Sequence, residues 1–144
     1  SIVATNTYVS AFYKICENIS EVIRKQNNEF EKYKYIVNEF ITIRILEIFN
    51  EDFNKNKEKF VSNLEDFEKK NKNTINYILE SNMLYSLNNG YSERQKKLLQ
   101  DIFKALSEGN CGKVKEILTK RKIVNYFRNI LMSTKTLLKS IVNR

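Results

Sequence analysis

Apolar residues return along this chain at intervals of three and four, the period of an amphipathic helix, and almost nowhere at the alternation of a half-buried strand. A first helix is expected over about residues 7–26, with Phe12, Ile15, Cys16, Ile19 and Ile23 on its inward face. Gln26-Asn27-Asn28 is either a short break or a polar passage within one long helix, since it holds no Gly or Pro. A second helix, over about residues 29–49, opens with Phe30, Tyr33, Val37 and Phe40, the three-four-three rhythm of antiparallel bundles. Continuing that rhythm puts Arg44 where an apolar residue is expected. Around it Ile41-Thr42-Ile43-Arg44-Ile45-Leu46 is apolar nearly all round, so this segment is either the central helix of a bundle or the bearer of an exposed apolar patch.

Residues 50–57 are polar and read as a loop. A third helix is expected over about residues 59–84, with Phe60, Leu64, Phe67, Ile75, Ile78 and Leu79 inward and residues 69–73 solvated. Asn88-Asn89-Gly90 is a stop signal. A fourth helix follows with Ser92 as N-cap and Gln95 as its capping-box partner, and carries Leu98, Leu99, Ile102, Phe103 and Leu106 to the turn Gly109-Asn110-Cys111-Gly112. The last helix is expected over about residues 113–142, with Val114, Ile117, Leu118, Val124, Phe127, Leu131, Leu138 and Ile141 as its buried stripe. The pattern predicts an all-α fold, an up-and-down bundle of four to five amphipathic helices forming one domain over residues 1–144, without strands or internal repeats.

Composition sharpens this. The chain has no Pro and three Gly, too little punctuation for many short strands. At 42% hydrophobic and 29% charged it can bury a core. With no His, the usual zinc sites, Ser-His-Asp and Cys-His constellations and an imidazole base are excluded. Glu65-Asp66 and Glu68 lie among lysines on an expected exposed helix, where acid-base chemistry has no pocket to work in. No enzymatic role, metal or cofactor is expected. No apolar run approaches the ~20 residues that cross a bilayer. The start, Ser1-Ile2-Val3, has neither the charged head nor the apolar stretch of a signal peptide, and reads as the edge of a domain trimmed from a longer chain. Cys16 and Cys111 are either bridged across the bundle or two free thiols, with Cys16 a small core residue.

The net charge of +8 is unevenly placed. From residue 117 to the end there is no Asp or Glu, while Lys120, Arg121, Lys122, Arg128, Lys135, Lys139 and Arg144 contribute +7; the other 116 residues carry 18 basic and 17 acidic side chains. Arg121, Arg128 and Lys135 recur every seven residues and so share one side of a helix. This is a docking face for an acidic partner, or else a solvated face that complements the carbonyl end of the helix dipole. Nucleic acid fits poorly: there is no helix-turn-helix signature or Gly-rich loop, and the aromatics are expected inside. Membrane-surface binding fits less well still, because the basic helix also carries apolar residues the core is expected to need.

One set of residues resembles a known family. Tyr8, Ile23 and Lys25, then Asn28, Phe30 and Tyr33, then Thr42-Ile43-Arg44-Ile45, and downstream Lys59-Phe60, Glu68-Lys69 and Asn76-Tyr77-Ile78 follow the order and nearly the spacing found in the C-terminal helical domain of the fibronectin-binding surface lipoproteins of Borrelia, with a one- or two-residue insertion near Asp66. The resemblance covers residues 8–78 and thins beyond them. It implies a non-enzymatic domain of a bacterial outer-surface lipoprotein, its lipidated segment upstream, that binds the complement protease C1r and blocks its active site. Two basic residues would matter most: Arg44, and a lysine near the start of the last helix for which Arg121, Lys122 and Arg128 compete. Small-molecule substrates and fibronectin are not implied as partners of this domain, and the two cysteines lie outside the shared pattern.

Overall fold

The computed structural model describes residues 2–143, with side chains from residue 8 onward. Among these residues there are no strands. Eight α-helices and one π turn follow in order: α1 (Ile2–Lys25), α2 (Phe30–Val37), the π turn (Asn38–Thr42), α3 (Ile45–Lys55), α4 (Phe60–Lys70), α5 (Lys72–Glu80), α6 (Met83–Ser86), α7 (Glu93–Ser107) and α8 (Cys111–Val142). α1 lies against α3 and α4, α7 against α5 and α8, and α8 also against α4. The all-α bundle expected from the periodicity is present, with more helices than expected because the π turn divides the second expected helix and two asparagine joints divide the third.

Each break has a local cause. Asn27 and Asn28 adopt left-handed backbone, φ 58° and 57°, which Asn tolerates better than most residues, so residues 26–28 are a turn. The expected third helix is α4, α5 and α6 in succession. At the first joint the buried Asn71 donates from its side-chain amide to the Phe67 carbonyl at 2.9 Å, a local bond that competes with the helix ladder. At the second, Asn82 is left-handed at φ 52°. The Ser92 capping box forms as expected, with the Gln95 amide donating to Ser92 Oγ and the Ser92 amide to Gln95 Oε1.

The stretch expected to be a loop after residue 49 is helical as far as Lys55, because Ile45, Ile48, Phe49, Asp52 and Phe53 keep a buried face going. Asp52 is fully buried. Tyr13 Oη donates to its Oδ2 at 2.9 Å, Asn56 Nδ2 to its Oδ1 at 2.9 Å, and Asn63 Nδ2 reaches both oxygens at 3.1 and 3.2 Å. These donors come from α1, from the turn after α3 and from α4, so one carboxylate ties three segments together. Burial, reinforced by the adjacent Asp52 charge, pushes the Tyr13 hydroxyl far above its ordinary range and keeps it a donor.

Most of the inward residues read from the sequence are buried, among them Phe12, Cys16, Ile23, Phe60, Leu64, Phe67, Ile75 and Ile102. Ile15 is a correction, at 45% exposure, since the first helix buries the narrower set Val9, Phe12, Cys16 and Ile23. The larger correction is α8. Its first part buries Cys111, Val114 and Leu118, but every residue from 122 to 143 is exposed, including Val124, Phe127, Leu131, Leu138 and Ile141, which were expected in the core. The reason is length: α8 has 32 residues and its neighbour α7 has 15, so the 14 residues beyond Arg128, about 21 Å of helix, run past the end of α7 and are exposed among the described residues.

Cys16 and Cys111 are free and buried. Burial raises the Cys16 thiol from an ordinary value near 9 to about 12, and that of Cys111 to about 11. The folded state therefore favours the protonated thiols, and the stability this contributes is present below pH 9 and lost as the pH climbs through 11 to 12. Native protein is expected to react with a disulfide reagent at pH 8 at least about 100-fold more slowly than protein unfolded in guanidinium, because only thiolate attacks and access requires opening. Stopped-flow absorbance with and without denaturant checks this; equal rates would contradict the burial. Among the described residues no helix is long and apolar enough to cross a membrane.

Candidate functional site

Arg44 owes its position to the π turn. Within Asn38–Thr42 the Ile43 amide reaches back five residues to the Asn38 carbonyl at 2.9 Å, so this turn holds one residue more than an α-helical turn. The inward set accordingly runs Val37, Ile41, Ile45, Ile48 instead of Val37, Phe40, Arg44. Phe40, expected inside, is 43% exposed, and Arg44 is turned out to solvent instead of interrupting the core. Both readings of this segment hold at once: Ile41, Thr42, Ile45 and Leu46 are buried, while Ile36, Phe40 and Ile43 form an exposed apolar strip that ends at Arg44.

The guanidinium is held in place. Arg44 Nη1 donates to the Glu39 carbonyl, and its Cζ lies 5.7 Å from the centre of the Phe40 ring, within cation–π range. From the other side, Tyr91 Oη donates to the Ile43 carbonyl at 2.7 Å, pinning the chain just before Arg44 to the loop that enters α7. Burial raises the Tyr91 hydroxyl to about 12, so it remains a donor at physiological pH. Among the described residues the other nitrogens of the Arg44 fork meet no acceptor and are open to a partner.

The basic residues of α8 stand where that helix leaves the bundle. Arg121 is half-buried; Lys122 is exposed, donates to Asn54 Oδ1 at 3.3 Å and has its ammonium 6.0 Å from the Phe53 ring centre. Both line a groove of about 240 Å³ with Asn50, Phe53, Asn54 and Asn125. Arg121 and Arg128 also line a larger groove of about 570 Å³ between α7 and α8, with Arg94, Lys120 and Val124 among its other walls. Arg128 and Lys135 are exposed and continue on the side of α8 that Arg121 occupies, so the seven-residue stripe is a physical feature of the helix.

The structure thus brings Arg121 together with Lys122 in one groove and with Arg128 in another, and leaves Arg44 outside both. The link between them is the loop before α7: Tyr91 bonds the Arg44 turn, and the next residue, Ser92, lines the larger groove. Sequence reading did not single out Arg94 or Tyr91, counted Lys120 only among the basic residues of the last helix, and left an exposed apolar patch beside Arg44 as one of two alternatives. Lys120 had a signal, its place beside Arg121 in the basic run, and the patch had one in the nearly all-round apolar segment at Arg44; which of its residues are exposed depends on the π turn. No family model, curated protein or solved structure matches the chain.

Proposed function

We propose that this domain is a non-enzymatic inhibitor that docks on the trypsin-like complement protease C1r and obstructs its active site. The observation that carries the reading is Arg44, a positioned arginine at the end of an exposed apolar strip. Arginine beside aromatic and aliphatic surface is the composition of interface hot spots, and holding its fork in the free protein lowers the ordering cost on binding. A protease that cleaves after arginine offers an acidic specificity pocket, and the excess positive charge on α8 suits an acidic rim around it. The family resemblance supplies the particular protease and the setting, a lipoprotein on a bacterial outer surface. Arg44 is the first docking residue of this proposal, with Arg121, Lys122 and Arg128 supplying the second basic contact.

The test is enzymatic inhibition. Progress curves of C1r cleaving a small arginyl substrate are expected to show saturable inhibition as the domain is titrated in, with the related proteases C1s and MASP unaffected at the same concentrations. Undiminished C1r cleavage at saturating domain would contradict active-site obstruction.

The nucleic-acid reading asks for aromatics beside basic groups so that bases stack while phosphates pair. Tyr126 and Phe127 are exposed, 64% and 59%; at 100° per residue Tyr126 lies on the other side of α8 from Arg128 and Lys135, and Phe127 about a quarter-turn from them, so among the described residues the basic stripe carries no row of rings. The arrangement favours a protein partner.

A further inference from the structure

The freestanding half of α8 is amphipathic in its own right. Ile123, Phe127, Ile130, Thr134, Leu137 and Ile141 follow one another at intervals of four, three, four, three and four, with Val124, Leu131 and Leu138 widening the same face. These apolar residues are 44 to 61% exposed. At 100° per residue this face points away from the side on which Cys111, Val114 and Leu118 meet the bundle. Bending the helix back onto its own bundle would therefore present Asn129, Met132, Thr136 and Ser140 to the core, and leave the apolar face in water.

We infer that this face pairs with the same face of a second copy of the chain. A four-three rhythm kept through almost three heptads is the seam of supercoiled helices; a lipid surface asks only for an apolar side and has no preference for the 3.5-residue repeat. The charges agree. Arg121, Arg128 and Lys135 fall at one heptad position and Lys139 at another, both away from the seam, so two copies meet without like charges face to face. An isolated 20-residue helix is marginal in water, and pairing is what holds this one. The pairing leaves the Arg121 and Arg128 side of the helix open.

Sedimentation velocity of the full chain over a concentration series tests this, with circular dichroism at each concentration. A species of twice 17.1 kDa is expected, dissociating on dilution with loss of helical signal, and tightening as salt is raised because the residual repulsion between two basic helices is screened. Ile130→Asp and Leu137→Asp are expected to give a monomer in which the bundle's cooperative melt is retained, since neither residue touches the core. Co-sedimentation with vesicles of three parts phosphatidylcholine to one part phosphatidylserine separates the lipid alternative, which would weaken with salt. A monomer at every concentration overturns self-pairing, in favour of a lipid surface if the vesicles take the protein down and of a different protein partner if they do not. A dimer unaffected by both aspartate variants overturns the assignment of this face.

Discussion

Asp52→Ala is expected to lower the melting temperature by about 10 °C, corresponding to about 3 kcal/mol of lost stability. The substitution removes the shared acceptor of Tyr13, Asn56 and Asn63 and leaves three donors facing a small cavity. Each buried donor left unpaired costs about 1–3 kcal/mol, and water entering the cavity recovers part of it. Among the described residues Asp52 is met by neutral donors and not by a cation, so Asp52→Asn keeps the shape but turns one acceptor into a donor opposite other donors. It is expected to cost less than alanine, yet more than a surface substitution. Thermal melts followed by circular dichroism check the order wild type, Asn, Ala; an alanine variant as stable as wild type would mean the network contributes nothing net.

Arg44→Ala is the opposite kind of change. The side chain is exposed and spans no buried contact, so the fold is expected to melt within about 1 °C of wild type, as surface substitutions do. Binding to C1r is expected to weaken by about 30-fold or more, some 2 kcal/mol, the loss shown by truncating an interface hot spot. Arg44→Lys is expected to recover little of it, because a point ammonium replaces a planar fork that pairs in two directions and lies against the Phe40 ring. The partition between stability and affinity is the informative part: Asp52 is expected to act on the fold and Arg44 on the proposed docking.

The helical class, the capping box at Ser92 and most of the core were legible because each depends on local chemistry or on a period a short window can show. What was not legible depended on where helices end. The spacing of Phe30, Tyr33, Val37 and Phe40 carries no mark of a five-residue π turn, and that turn decides which of Phe40, Ile41 and Arg44 meets solvent. The stripe from Val114 to Ile141 was read as one buried face, although it rotates about a third of the way round the helix after Lys122 and continues past the end of α7. Comparing the expected lengths of the last two helices would have exposed the excess. Asp52 was hidden for a different reason: a polar stretch between apolar ones reads as a loop, and only the tertiary fold brings Tyr13 and Asn63 to it. Of the proposed docking residues, Arg44 was legible as a break in the apolar pattern and Arg121 and Arg128 as a seven-residue repeat, whereas the grooves that Arg121 and Arg128 line depend on the packing of α8 against α3 and α7.

The proposed docking of Arg44 on C1r is tested most directly by surface plasmon resonance over immobilised C1r, with the wild-type domain and Arg44→Ala titrated in parallel. Saturable wild-type binding with a Kd between nanomolar and low micromolar, weakened about 30-fold or more in the variant, is the expected result. No saturable binding by the wild type, or equal affinity for both proteins, would contradict it, the first removing C1r as the partner and the second removing Arg44 from the interface.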